Sequence, residues 1–158
     1  MIKPLSIRRR RVAALVCALV VCSAAEAART TVRITRAWVR ATVPGQPVAG
    51  AYLELQSPVA VRLVGISSPV AKRGEVHSMK AVDGMMTMRP LAGLALPAGT
   101  LVKFAPGGLH IMLFDLKQPL RAGSDVSLTL TFETVSGTRF KQDVVAPVKQ
   151  PDAAAERR

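Results

Sequence analysis

Short runs of alternating apolar and polar residues recur along most of the chain and are separated by turn-forming residues. The clearest is residues 126–132, where valine, leucine and phenylalanine alternate with serine and threonine. Alternation with a period of two is typical of a strand that buries one face. Its recurrence at intervals of about 8–12 residues favours a β-sandwich or barrel. The predicted strands are 32–39, 51–56, 61–67, 75–80, 85–91, 101–105, 109–116, 125–133 and 138–145.

The first 27 residues interrupt this pattern. Five basic residues, Lys3 and Arg8 to Arg11, precede an apolar run at residues 12–22, and small residues follow it. This order is typical of a secretory signal peptide, and Ala25 and Ala27 predict cleavage after Ala27. The apolar run is shorter than the roughly 20 residues that span a bilayer. We therefore expect an exported, periplasmic protein that does not span the membrane after cleavage.

Cleavage would leave one β-domain, residues 28–150, and a short disordered tail, residues 151–158. Cys17 and Cys22 are the only cysteines of the chain, and both would be removed with the signal peptide. Lipid attachment at Cys22 is disfavoured, because two bulky valines precede it. The processed chain would therefore have no thiolate for a disulfide, a zinc–cysteine site or an iron–sulfur cluster.

The chain is strongly basic, with a formal net charge of +12. Removal of residues 1–27 takes away five basic residues and one acidic residue, which leaves +8. Such a charge is compatible with anionic lipid, nucleic acid or an acidic protein. Export and an aromatic content of 4% argue against nucleic acid as the partner.

Histidine and methionine are concentrated in one part of the sequence. Both histidines and all methionines except the initiator lie within residues 77–112: His77, Met79, Met85, Met86, Met88, His110 and Met112. Imidazole and thioether groups are soft ligands that suit Cu(I), whereas carboxylates and carbonyls suit harder ions. The cluster therefore indicates Cu(I), or Ag(I) as its chemical mimic.

A predicted hairpin would bring several of these residues together. Asp83-Gly84 is a strong signal for a two-residue turn. With that turn, Met79 lies opposite Met88, and Ala81 lies opposite Met86. One face of the hairpin would then carry His77, Met79, Met86 and Met88. Met85 would point to the other face, which we expect to be the core.

His110 and Met112 are two residues apart on another predicted strand, so both side chains leave from the same face. If that strand is a neighbour of the hairpin, the two groups together could complete a four-ligand site. The alternative is that the cluster is core packing, because methionine is a common filler of irregular apolar gaps. On that alternative the protein would be a binding module without a metal.

The spacing also resembles a known family. His77, Met88, His110 and Met112 match the H-x(10)-M-x(21)-H-x-M motif of the periplasmic copper chaperones called PCu(A)C. The resemblance extends over residues 32–146. Five segments in and around the motif also agree: Ala37-Trp38-Val39-Arg40-Ala41, Pro44-Gly45, Gly50-Ala51-Tyr52, Met86-Thr87-Met88-Arg89-Pro90 and Pro106-Gly107-Gly108-Leu109-His110-Ile111-Met112-Leu113.

The resemblance implies an all-β, cupredoxin-like Greek-key barrel or sandwich that binds Cu(I) through His77, Met88, His110 and Met112. It also implies delivery of copper to the copper-site subunit of cytochrome c oxidase, alongside a Sco-type thiol protein. The hairpin register makes Met79 and Met86 auxiliary or outer ligands. Some members of the family carry a second, His- and Met-rich site in the tail, but residues 150–158 contain neither residue.

The remaining residues point away from catalysis. Glu75 and Asp83 are isolated from other carboxylates, and no serine stands in a nucleophile motif. We expect a monomer that is not an enzyme, with Trp38 and Tyr52 in core or rim packing. Electron transfer at a blue-copper site requires a cysteine that the processed chain lacks. The alternative function with the same residues is periplasmic copper sequestration.

Overall fold

The computed structural model describes residues 31–82 and 85–150. The predicted signal peptide, the predicted turn at Asp83-Gly84 and the predicted tail at 151–158 lie outside the described residues. Ten strands form within them: β1 Arg33–Arg40, β2 Val48–Gln56, β3 Val61–Ser67, β4 Arg73–Val82, β5 Met85–Leu91, β6 Leu94–Leu96, β7 Leu101–Phe104, β8 Leu109–Phe114, β9 Asp125–Thr134 and β10 Arg139–Lys149. The all-β prediction is confirmed. No helix in this part of the chain is long and apolar enough to cross a membrane.

Seven of the strands close into a barrel. Their order is β4, β8, β2, β1, β10, β9 and β3, and β3 returns to β4 through the pair Ile66 and Gly74. Strands β1 and β10 are parallel, and the other neighbours in the ring are antiparallel. Several neighbours are distant in sequence, as expected for a Greek-key barrel. Outside the ring, β5 pairs with β4, β6 with β3 and β7 with β2.

The core lies inside this barrel and follows the alternation of the sequence. Strand β9 buries every second side chain, from Val126 to Phe132, and the intervening residues are more exposed. Leu53, Leu63 and Leu113 meet them from other strands of the ring. Each fully buried side chain of this size stabilises the fold by about 1.5–3 kcal/mol. The inward face is thereby filled with aliphatic and aromatic groups.

One strand and several boundaries differ from the prediction. Strand β6 is missing from it because three residues are too few to show an alternation. Pairing with β3 nevertheless forms this strand and buries Leu96. Strand β10 runs beyond the predicted end to Lys149, because β1 pairs with Val148 and Lys149. A neighbouring strand supplies this stabilisation, which local sequence does not reveal.

The β4–β5 hairpin has the predicted register. Met79 pairs with Met88, and Ala81 pairs with Met86. On its other edge β4 pairs with β8, and this pairing places His77 directly opposite His110. The three adjacent strands β5, β4 and β8 therefore form the platform for the site.

We expect Leu128→Ala to lower the free energy of unfolding by about 2–5 kcal/mol, because it leaves a cavity in the barrel core. Leu101→Ala is the matched control, because Leu101 is exposed and should cost about 0.5 kcal/mol. Urea or guanidinium unfolding measures both changes. Equal losses would contradict the assignment of the core.

Candidate metal centre

The candidate residues lie on the outer face of the barrel wall. His77 pairs with His110, and Met79 pairs with Met88, so each pair projects from the same face of the sheet. Met112 projects with His110, because the two are separated by one residue on β8. The intervening Ile111 points inward and is fully buried. Successive side chains of β8 thus point alternately to the candidate site and to the core.

A surface pocket of about 490 Å³ opens on this face. Its lining includes four of the six residues predicted from the sequence: Met79, Met88, His110 and Met112. Its other residues include Arg40, Gln46, Gly50 and Tyr52, from the β1–β2 side. His77 and Met86 are outside the lining. The structure therefore brings three thioethers and one imidazole into one pocket, and His77 stands beside it.

His77 is buried next to the pocket. Its ring centroid lies 5.9 Å from that of His110 and 5.8 Å from that of Phe114. Its Nε2 atom is 3.0 Å from Oε2 of Glu75. Its Nδ1 atom is buried and has no hydrogen-bond partner among the described residues. Buried polar atoms nearly always have a partner, so this nitrogen is a candidate ligand atom.

His110 is held differently. Its Nδ1 atom is 3.0 Å from the carbonyl oxygen of Gly108. A carbonyl can only accept, so Nδ1 donates, and Nε2 of the neutral ring keeps its lone pair. The turn before β8 fixes this carbonyl: the Gly108 amide donates to the Ala105 carbonyl, and Gly107 adopts a positive φ of 79°. That conformation costs glycine little.

The thioethers are more exposed than the imidazoles. Met79 and Met112 are half-buried, whereas Met88 is 46% exposed and Met86 is 57% exposed. The buried imidazoles thus form the inner side of the cluster, and Met88 and Met86 form its solvent side.

The expectation that Met85 lies in the core is wrong, because this residue is 71% exposed. It does occupy the opposite face of the hairpin from Met86, as its pairing with Val82 requires. The pairing of β8 with β4 ends at Ser78. Beyond that point β4 has no pairing with β8, and Met85 and Met86, on opposite faces of the hairpin, are both exposed.

An aromatic pair borders the pocket. The rings of Trp38 and Tyr52 lie 4.5 Å apart at an interplanar angle of 31°. A bulge in β1 brings Trp38 to this position, and Arg36 has a φ of 51° within it. Tyr52 lies over Gly50, the cross-strand partner of Met112. The packing role expected for the pair is compatible with this geometry.

Sequence reasoning missed two features of the site. Tyr52 lines the pocket. The spacing Gly50-x-Tyr52 could have indicated this position, because Gly50 and Tyr52 lie on the same face of the sheet as Met112, the partner of Gly50 on β8. Glu75 contacts His77, and the spacing Glu75-x-His77 on one strand could have indicated that contact. Neither pattern is distinctive without the register of the neighbouring strand.

Comparisons with known proteins agree with this fold. Residues 32–146 match the family model described as "Putative lipoprotein LpqE-like". The "Putative lipoprotein Lxx21020" of Leifsonia xyli subsp. xyli (strain CTCB07) is 35% identical over 126 residues, 79% of this chain and 74% of the relative. The chain therefore belongs to the LpqE-like family. Cys22 and Ala27 both lie outside the described residues, so cleavage after Ala27 stays a prediction.

Solved structures of PCuAC domains are similar to this barrel. The solution structure of CuI-DR1885 from Deinococcus radiodurans is 28% identical, with a TM-score of 0.59 over 82% of this chain and 86% of that one. The apo PCuAC domain from PmoF1 is 22% identical, with a TM-score of 0.61 over 76% and 94%. The copper-bound PCuAC domain from PmoF2 is 24% identical, with a TM-score of 0.58 over 76% and 93%. The predicted resemblance and the cupredoxin-like fold are confirmed.

The contact between Gly50 and Tyr52 can be tested directly. A Cβ atom at position 50 would lie 2.9 Å from the Tyr52 hydroxyl oxygen. We expect Gly50→Ala to displace the tyrosine ring, loosen its contact with the Trp38 ring and shift the tryptophan emission to longer wavelength. Trp38 is the only tryptophan of the chain, so the signal is specific.

Gly65→Ala is the control for this substitution, because its Cβ would meet Thr131 only at 3.5 Å, an ordinary contact. Its tryptophan emission and near-ultraviolet circular dichroism should match the unsubstituted protein. An unchanged spectrum in Gly50→Ala would contradict the described position of Tyr52.

Proposed function

We propose that this protein is an exported copper chaperone that binds one Cu(I) ion and passes it to a partner. The observation that carries the proposal is the pocket in which Met79, Met88, His110 and Met112 meet, with the unpartnered Nδ1 of His77 beside it. The likeness to copper-bound PCuAC domains supports it.

The proposed ligands are His77, Met88, His110 and Met112, with Met79 and Met86 as auxiliary thioethers. Imidazole and thioether groups are neutral and soft, which favours Cu(I) over harder divalent ions. No thiolate from residues 28–158 competes for the ion, because that segment has no cysteine. Binding and transfer therefore suit this donor set better than catalysis or blue-copper electron transfer.

The proposed compartment is the periplasm, reached after cleavage at Ala27. Thioether ligands suit an oxidising compartment, because they do not form disulfides, although they can be oxidised to sulfoxides. The proposed recipient is the copper-site subunit of cytochrome c oxidase, with a Sco-type thiol protein as a co-acting partner. We propose that the processed domain, residues 28–150, acts as a monomer.

The exposure of the ligands favours transfer over storage. Met88 is among the exposed methionines, so an incoming thiolate or imidazole can reach the ion on that side. The buried histidines would keep their hold while the thioethers are exchanged one at a time. Copper could then move through an intermediate with shared ligands and never be released free.

Anaerobic competition with a chromophoric Cu(I) chelator tests the proposed site. We expect one Cu(I) per chain, and a loss of affinity of more than about 100-fold when His110→Ala and Met112→Ala are combined. Removal of two ligands should exceed the roughly 10- to 100-fold loss caused by removal of an outer partner.

Met85→Ala is the matched control for this experiment, because Met85 lies on the opposite face of the same hairpin. It should bind Cu(I) as tightly as the unsubstituted chain. Equal binding by the double variant would mean that the histidines and methionines serve packing alone.

The transfer step is tested with Met88→Leu. Leucine has a similar volume and no sulfur, so the position that an incoming donor must occupy is already open. We expect transfer to an apo-oxidase copper fragment about tenfold faster than from the unsubstituted chain, which corresponds to about 1.4 kcal/mol in the barrier. Stopped-flow mixing measures the rate.

Met85→Leu should leave the transfer rate unchanged. An unchanged rate in Met88→Leu would reject this methionine as the exchangeable ligand. Tight binding by the unsubstituted chain without transfer to the fragment would favour sequestration instead.

A further inference from the structure

We propose that Glu75 is a positioning residue for copper capture: it holds the ring proton of His77 on Nε2, so that His77 binds Cu(I) through Nδ1, while His110 binds through Nε2. This inference rests on the proposed function, because it concerns the same pair of histidines. It assigns a role to a carboxylate that would not itself touch the ion.

The first step is the position of the proton on His77. Nε2 lies 3.0 Å from Oε2 of Glu75, and an ionised carboxylate only accepts hydrogen bonds. In the neutral ring the proton must therefore be on Nε2, and the lone pair on Nδ1. Only a nitrogen without a proton can bind a metal ion. Nδ1 is also the buried atom without a partner among the described residues.

The second step is the anchoring of the carboxylate. Its two oxygens have different partners, because Oε1 is 2.6 Å from Nη1 of Arg73. The Arg73 guanidinium in turn lies 4.8 Å from the centroid of the Phe114 ring, and its Nε is 3.8 Å from Oδ2 of Asp115. The 2.6 Å bond between Arg73 and Glu75 joins two charged groups, and such bonds are stronger than bonds between neutral groups. Glu75 is thus held from the side opposite His77.

The sheet places all these groups on one face. Arg73, Glu75 and His77 are at alternate positions of β4, and their partners on β8 are Phe114, Met112 and His110. The Phe114 ring, which Arg73 covers, also packs against the His77 ring at 5.8 Å. Rotation of His77 would therefore break a hydrogen bond and disturb a packed ring. The orientation of the imidazole is fixed from two directions.

The two histidines then differ in a testable way. His110 has a backbone carbonyl as its partner, which fixes its proton on Nδ1 and which no side-chain substitution removes. His77 has a side chain as its partner, which a substitution does remove. A metal held by both rings would be bound by unlike nitrogen atoms. The opposite arrangement is that copper displaces Glu75 from Nε2, in which case the carboxylate would hinder binding.

Nuclear magnetic resonance of the ¹⁵N-labelled full-length chain distinguishes these arrangements. Long-range proton–nitrogen correlations in the metal-free protein should show His77 with its proton on Nε2 and His110 with its proton on Nδ1. Titration with Ag(I), which is diamagnetic, should then shift Nδ1 of His77 and Nε2 of His110.

Variants of Glu75 provide the second measurement. Glu75→Ala should lose the fixed proton position and weaken Cu(I) binding by about 10- to 100-fold. Glu75→Gln has a single acceptor oxygen, which the Arg73 guanidinium should retain, so the amide NH₂ would face Nε2 of His77. The ring proton should then move to Nδ1, and the Cu(I) affinity should fall about as much as in Glu75→Ala. A reversed proton position on His77 in a folded Glu75→Gln variant is a spectroscopic signature that a merely structural role of Glu75 would not produce.

Glu133→Ala is the matched control. Glu133 forms a 2.7 Å ion pair with Arg139 on strands β9 and β10, and its side-chain exposure of 30% resembles the 34% of Glu75. Its removal should leave the Cu(I) affinity and both histidine spectra unchanged. A loss of Cu(I) affinity equal to that of Glu75→Ala would mean that general destabilisation, rather than positioning, explains the effect.

Three results would overturn the inference. They are a metal-free His77 with its proton on Nδ1, an Ag(I)-induced shift at Nε2 of His77, and unchanged or tighter Cu(I) binding by Glu75→Ala. If Glu75→Ala does not fold, the first two measurements on the unsubstituted chain still decide. Failure of the unsubstituted chain to bind Cu(I) or Ag(I) would overturn the proposed function as well, whereas binding through Nε2 overturns this inference alone.

Discussion

The pairing of β4 with β8 is the constraint on which the candidate site depends. It sets His77 opposite His110 and Glu75 opposite Met112, on strands that are distant in sequence. A shift of one residue would exchange the two faces of β4, because side chains alternate along a strand. Val76 would then leave the core, and His77 would enter it. The same apolar core that stabilises the barrel therefore fixes the register of the polar face outside it.

The site combines rigid and accessible groups. The imidazoles are buried, and each has one nitrogen held by a fixed partner, Glu75 or the carbonyl of Gly108. The thioethers of Met86 and Met88 lie on the hairpin that β8 supports only as far as Ser78. A carrier needs a preformed set of ligands for capture and a reachable ligand for release. Because the pairing of β8 with β4 ends at Ser78, the same sheet holds the imidazoles rigidly and leaves the thioethers of the hairpin accessible.

The hairpin register and the core side of β9 could be predicted from sequence, because both are local. A two-residue turn fixes pairing by symmetry, and an alternation fixes which side chains point inward. Strand β6 and the exposure of Met85 could not be predicted in this way. Strand β6 forms by pairing with β3, and the surroundings of Met85 depend on where β8 ends. The contact between Glu75 and His77 depends on side-chain orientation, which a spacing of two residues permits but does not require.

The balance of charge beside His77 bears on the selectivity of the proposed site. An isolated carboxylate next to imidazole ligands would attract harder divalent cations, for which oxygen is a good ligand. Glu75 is instead paired with Arg73 at 2.6 Å, and Arg40 also lines the pocket. The pair adds an acceptor for the His77 proton without adding net negative charge. An ion in the proposed site would thus interact mainly with neutral nitrogen and sulfur atoms, which is the environment that favours a soft, singly charged metal.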